Sequence, residues 1–136
     1  MIGGLTNSGI TANVYMLKDG SWQSLPSMKH ARDYAACVVW KNELDVMGGY
    51  RAAGKSVELM NLATHQWRTG PNLPSSFHDV QPIIHHDALF LINVEGIVVK
   101  FLDDTEWREV GRIGKLGSSL LPLSPHIVTA DILGCN

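Results

Sequence analysis

The clearest alternation of apolar and polar positions runs from Ala35 to Trp67. An apolar run (Ala35 to Trp40) is broken at Lys41-Asn42, and a second apolar segment (Leu44 to Met47) closes on Gly48-Gly49. After a loop from Tyr50 to Lys55 come Val57 to Met60, a turn at Ala63-Thr64-His65, and Trp67. Apolar segments this short, bounded by turn-forming residues, have the length of strands rather than helices. The stretch therefore predicts four antiparallel strands. The first of them is small and apolar throughout, as suits a strand covered on both faces.

The same pattern recurs. Gly3-Gly4 and Trp22 each stand 45 positions before Gly48-Gly49 and Trp67, and Val14 falls opposite Leu59 without a gap. Phe77 to Ile92 aligns on Arg32 to Met47, again without a gap. Asn93-Val94 then replaces the glycine pair, and Trp107 follows Asn93 by 14 positions where Trp67 follows Gly48 by 19, so the loop is five residues shorter. Ala130 to Cys135 gives a weaker fourth copy, with Pro122 and Pro125 where an inner strand belongs and proline cannot donate to a ladder. The expected organisation is the end of a unit over 1–26, a full unit over 32–74, a full degenerate unit over 77–110 and the start of another over 117–136. Leu5 to Thr11 and Gly111 to Gly117 read as loops, Asp19-Gly20 as a two-residue hairpin turn, and no segment reads as a helix.

A glycine pair closing a strand, a tryptophan about twenty residues on and Gly70-Pro71-Asn72-Leu73-Pro74 after it resemble the kelch repeat, whose blades of roughly 50 residues build a β-propeller. Arg32, Gly48, Gly49 and Trp67 all fall in place, while Asp45 stands where kelch units usually carry tyrosine. A WD-type propeller lacks support, because no Gly-His or Trp-Asp pair occurs. The resemblance implies an all-β fold of about three four-stranded blades, an incomplete propeller, since closure takes roughly four to eight. The expectation is a fragment of a longer propeller, with a homodimer completing the ring as the second account. Trp22 and Trp67 are expected to pack alike between neighbouring blades.

Composition adds exclusions. With 45% apolar residues, 18% charged residues and a net charge of −2, the chain reads as a soluble globular protein. It has neither a bilayer-spanning apolar run nor a signal-peptide pattern, and no basic stretch interleaved with aromatics that would suit nucleic acid. Cys37 and Cys135 read as reduced, buried thiols and the protein as cytoplasmic. His85-His86 reads as a solvated turn rather than a metal site, because neighbours in a strand point to opposite faces. There is no nucleophile elbow, HExxH, CxxC or P-loop, so neither a catalytic residue nor a cofactor is expected.

In an up-and-down blade, the loops joining strands two to three and blade to blade open at one end. That end collects Lys29, His30, Arg32, Arg51, Lys55, Arg112 and Lys115, with Glu95 as its clear acid. The opposite end collects Asp19, Glu43, Asp87, Asp103, Asp104 and Glu106 against Lys18 and Lys41. A basic end flanked by Met28, Tyr50, Phe77 and His78 suits an acidic peptide, since arginine and lysine pair with carboxylates. The expected partner-binding set is Lys29, His30, Arg32, Tyr50, Arg51, Lys55, Phe77 and His78. The kelch resemblance implies protein–protein recognition, as the substrate-recruiting part of a BTB-kelch, cullin-based ubiquitin ligase or as an actin-associated scaffold. The alternatives are a kelch-fold enzyme, such as a sugar mutarotase or oxidase, and a truncated fragment without function. Neither a copper-ligand set nor an acid/base/arginine cluster supports the enzyme.

Overall fold

In the computed structural model the described residues are 1–50, 53–103 and 105–113, and they form strands, turns and loops without a helix. The expected fourth unit, over 117–136, lies outside them. The second unit is one antiparallel sheet in chain order: β5 (Ala36–Trp40), β6 (Glu43–Met47), β7 (Val57–Asn61) and β8 (Trp67–Thr69). The third repeats it as β9 (Ile83–His85), β10 (Ala88–Ile92), β11 (Ile97–Leu102) and β12 (Glu106–Arg112). The first has β3 (Val14–Lys18) paired with β4 (Ser21–Leu25) and joined to Ile2 by a single bridge. The loop expected at Leu5 to Thr11 contains a small hairpin, β1 (Leu5–Thr6) with β2 (Gly9–Ile10).

Three hairpins turn in two residues, Asp19-Gly20, Lys41-Asn42 and His86-Asp87, all six with positive φ between 44° and 76°. This is the type I′ turn, whose twist matches that of the strands it joins. Only the first carries the glycine that makes such turns easy to read. Asparagine and aspartate are the side chains that best tolerate that backbone region elsewhere.

Backbone pairing corrects the gapless alignment of the third strands. Gly3 N–H donates to Asn13 O (2.8 Å) and Gly48 N–H to Ser56 O (2.9 Å), and Ile2 and Met47 face Val14 and Val57. Val14 is therefore the counterpart of Val57, not of Leu59. The extra residues in the first loop form the β1–β2 hairpin, and the tight Asp19-Gly20 turn compensates before Trp22. A slip of two keeps every side chain on its face, so the apolar pattern could not reveal it. In the third unit the shortening is likewise divided between the second-to-third loop and the following hairpin, because Asn93 N–H bonds Ile97 O directly (3.0 Å).

The sheets stack face to face, and the second is buried on both sides. Ile2, Val14, Leu25 and Met28 of the first unit pack on Cys37, Leu44, Val46 and Met60. Ala36, Met47, Val57, Leu59, Leu73 and Phe77 pack on Leu89, Leu91, Val99, Phe101 and Trp107 of the third. Alternate residues of β7 thus enter two different cores. Fully burying each such side chain contributes about 1.5–3 kcal/mol.

The outer-strand tryptophans of the second and third units lean toward the preceding sheet. Trp67 packs beside the first core, and its indole N–H donates to Pro26 O (2.7 Å). Trp107 is 6% exposed and stacks on Phe101 (4.9 Å), with Trp40 of the second sheet 5.9 Å from the same Phe101 ring. Trp22 is 60% exposed. The expectation of like surroundings for Trp22 and Trp67 is thus corrected, because among the described residues no sheet precedes the first. Cys37 also departs from expectation, being disulfide-bonded rather than reduced, since burial in a strand suits either state. Cys135 lies outside the described residues.

The glycine pairs mark where the connector to the next sheet closes against the finished one. Gly48 (φ +64°) has Phe77 O where a Cβ would stand, and a Cβ on Gly3 (φ +58°) would lie 2.5 Å from Arg32 O. Gly48→Ala is expected to lower unfolding free energy by roughly 2 kcal/mol or more, from left-handed strain plus overlap with backbone. Gly111→Ala, with open space around it, should stay within about 0.5 kcal/mol in the same chemical denaturation series.

Candidate functional site at the connector end

The topology brings the blade connectors and the second-to-third-strand loops to one end. Arg32 and Phe77 are counterparts there. Arg32 O accepts from Gly4 N–H (2.7 Å) and its N–H donates to Thr11 O (3.2 Å), while Phe77 O accepts from Gly49 N–H (2.8 Å) and its N–H donates to Gly54 O (3.0 Å). Tyr34 and Asp79, two residues further on in each connector, share positive φ values of 52° and 53°. The two are tied together by an Asp79 N–H to Tyr34 O bond (2.9 Å).

From that anchored backbone the Arg32 side chain runs inward. It donates to Gly48 O (2.5 Å), Ser56 O (2.9 Å), Ser56 Oγ (2.9 Å) and Glu58 Oε1 (3.0 Å). Glu58, 3% exposed, also accepts from Lys29 N–H (2.7 Å) and His30 N–H (3.1 Å), with His30 Nδ1 at 3.2 Å. Burial alone would raise the Glu58 carboxyl. The hydrogen bonds from Lys29 N–H, Arg32 and His30 N–H, with the Arg32 charge, outweigh it and hold the carboxyl below its usual range. Burial lowers the Arg32 guanidinium, opposed by Glu58.

Two expected partner-binding residues are therefore corrected. Arg32 is 1% exposed with its guanidinium committed to the second sheet, and Phe77 is fully buried in the core between the second and third sheets. Met28, expected as an apolar anchor, is buried in the other core. The residues that do reach the surface are Lys29, His30, Tyr50 and Lys55, with His78 half-buried. Tyr50 is 49% exposed and meets His78 edge-on at 5.5 Å, and Lys55 Nζ donates to Pro74 O (3.1 Å). Arg51 and Lys115 lie outside the described residues. Asp79 and Glu95 are exposed acids of the same end, and Arg112 pairs with Glu109 (2.8 Å).

Sequence reasoning missed Glu58 and Tyr34. Glu58 sits in an apolar strand with no neighbouring charge in sequence to mark it, and Tyr34 is an exposed aromatic beside the committed Arg32. Asn93 stands where the other units carry the first glycine of the pair. Its Oδ1 accepts from Glu95 N–H (3.0 Å) and Ile97 N–H (2.9 Å), so a side chain holds the turn that a glycine pair makes elsewhere.

The opposite end is less acidic than its loops alone suggest. Arg68 donates to Glu43 through Nε (3.0 Å) and Nη2 (2.5 Å), and Arg108 pairs with Glu106. The His85 and His86 rings lie 4.0 Å apart because His86 belongs to the turn. Among the described residues no group of three or more His, Cys, Asp or Glu side chains could hold a metal ion, and no helix is long and apolar enough to cross a membrane.

Stacked four-stranded sheets joined in this way are the blades of a β-propeller. Residues 31–74, which hold the second blade, match the family model described as Kelch motif. Among solved structures it is similar to one titled "Structure of YjhT", with a TM-score of 0.63, 13% identity, and coverage of 82% of this chain and 51% of that one. The chain thus spans about half the length of that protein. No curated protein matches the sequence.

Breaking the buried pair is expected to be costly. Glu58→Gln should lower unfolding free energy by about 3–5 kcal/mol, by leaving the Arg32 charge unpartnered. Because the folded carboxyl lies below its unfolded value of about 4.3, its contribution is present at neutral pH and lost as pH falls through and below that value. Denaturation midpoints followed downward from pH 7 should therefore fall more steeply in the parent chain than in Glu58→Gln.

Proposed function

We propose that the chain is a protein-interaction module whose connector end takes up an acidic peptide segment. The observation that carries this reading is the exposed Tyr50 ring, set edge-on against His78 in the same cluster of connectors and loops as Lys29, His30 and Lys55. An aromatic surface flanked by ammonium and imidazole donors offers stacking area and charge-assisted hydrogen bonds to carboxylates. The blade interior supplies rigidity, since the connector backbone is held by the glycine pairs and by the Arg32–Glu58 bridge. Arg51 extends the set on sequence grounds alone. The wider settings implied by the resemblance, a cullin-based ubiquitin ligase adaptor or an actin-associated scaffold, rest on the kelch motif at 31–74.

Binding of a fluorescein-labelled Asp/Glu-rich peptide should be measured by polarisation, against a Lys-rich control, at two salt concentrations. Lys29→Glu and Lys55→Glu are each expected to weaken binding about fivefold, roughly 1 kcal/mol for an exposed charge, and Tyr50→Ala by at least as much. Added salt should weaken the parent complex and narrow these differences. Equal affinity for all variants, or for the Lys-rich control, would remove the proposal.

A further inference from the structure

Two connectors and one loop meet at a patch whose charge runs against the rest of the connector end. Tyr50 N–H donates to Asp33 O (2.9 Å), Asp79 N–H donates to Tyr34 O (2.9 Å), and the Tyr50 ring lies 5.5 Å from that of His78. Asp33, Tyr34, Tyr50, His78 and Asp79 are thereby gathered in one place, two acids with two tyrosines and an imidazole.

Asp33 is 9% exposed, and among the described residues nothing donates to its enclosed Oδ1. Its Oδ2 is not enclosed, so the carboxylate meets solvent through that one oxygen. An enclosed acceptor loses hydration without a hydrogen bond in return, which is the condition of a group whose donor comes from outside the fold. Tyr34, the next residue, is a second sign. Its φ is +52° and it is 57% exposed. A bulky side chain in the left-handed region is strained, and exposure means that no core packing offsets the strain. Glycine or asparagine would make the same turn at lower cost, so the ring is retained for what it meets in solvent. Tyr50, 49% exposed, presents a second ring from the loop bonded to Asp33.

Exposed tyrosine faces beside carboxylates select cations. A guanidinium suits them best, since its plane stacks on a ring while its N–H groups fork onto a carboxylate. We propose that this patch seats the guanidinium of an arginine carried within the acidic segment. Asp33 and Asp79 accept its N–H groups, and Tyr34 and Tyr50 cover its plane. Lys29, His30 and Lys55 take the acids on either side. The inference rests on the connector end as a peptide site, whereas uptake of free arginine does not.

Nα-acetyl-arginine amide, titrated into the isotope-labelled full chain and followed by NMR, reads the patch without any peptide. Progressive shifts of the Tyr34, Tyr50 and His78 ring signals are expected, and Asp33→Asn should abolish them. Tyr34→Asn should weaken the titration about fivefold. It should also keep or raise the parent thermal midpoint, because asparagine tolerates the left-handed backbone and the lost ring lies in solvent. In polarisation, an Asp/Glu-rich peptide with one central arginine should bind about tenfold tighter than the same peptide with citrulline, which keeps the shape and loses the charge. Asp33→Asn should erase that preference. Ring shifts from free arginine, with no acidic peptide bound, would support the patch and remove the peptide reading. Acidic peptides that bind equally with arginine or citrulline, with no ring shifts from free arginine, would leave the peptide reading standing and overturn the patch, Asp33 being answered within the chain. Ring shifts that persist in Asp33→Asn, or a Tyr34→Asn chain that takes up arginine like the parent, would overturn it too.

Discussion

The structure depends on how each connector closes against the sheet it leaves. Gly4 and Gly49 donate to the carbonyls of Arg32 and Phe77, and the glycine before each stands where a Cβ would strike that carbonyl. One backbone contact, made twice, fixes where the next sheet begins. The packed faces follow from it, because a strand entering at a fixed height and angle has its alternate side chains assigned to one core or the other.

Arg32 gives this corner a second function. Its backbone completes the first unit while its guanidinium caps Gly48 O and Ser56 in the second and pairs with Glu58. The bridge is buried and multiply hydrogen-bonded, so losing one partner strands the other at high cost, although an apolar substitute for both need not destabilise. At the next corner Phe77 fills the equivalent place with apolar surface. The two solutions show that the position demands volume and a well-placed carbonyl, while charge is optional. Glu58 in turn orders Lys29 and His30 through their amides, so the buried pair shapes the surface from which a partner would be engaged.

Much of this was legible in the chain. The 45-residue return of Gly-Gly and tryptophan located the sheets, and short apolar runs located their strands, because a period-two pattern with fixed turns leaves few other folds. Loop lengths were less legible: the two-residue offset at Val14 preserved every face and so left no trace in the apolar pattern. The candidate site was read least well. Charge and aromatic character mark a residue as able to bind, but Arg32 and Phe77 carry that signature and are buried, because the connector turns them inward as it docks. Similarly, Trp22 and Trp67 are equivalent in sequence and differ in exposure through the presence of a neighbour, which no local pattern encodes.

Amide hydrogen exchange read residue by residue at Gly4 and Gly49 is the most direct measurement of that shared corner. Both should exchange slowly, in the class of the β6 amides, since each is bonded across a junction and opens only when the sheets part. Exchange at the rate of exposed loops at either glycine, with β6 still protected, would contradict the account.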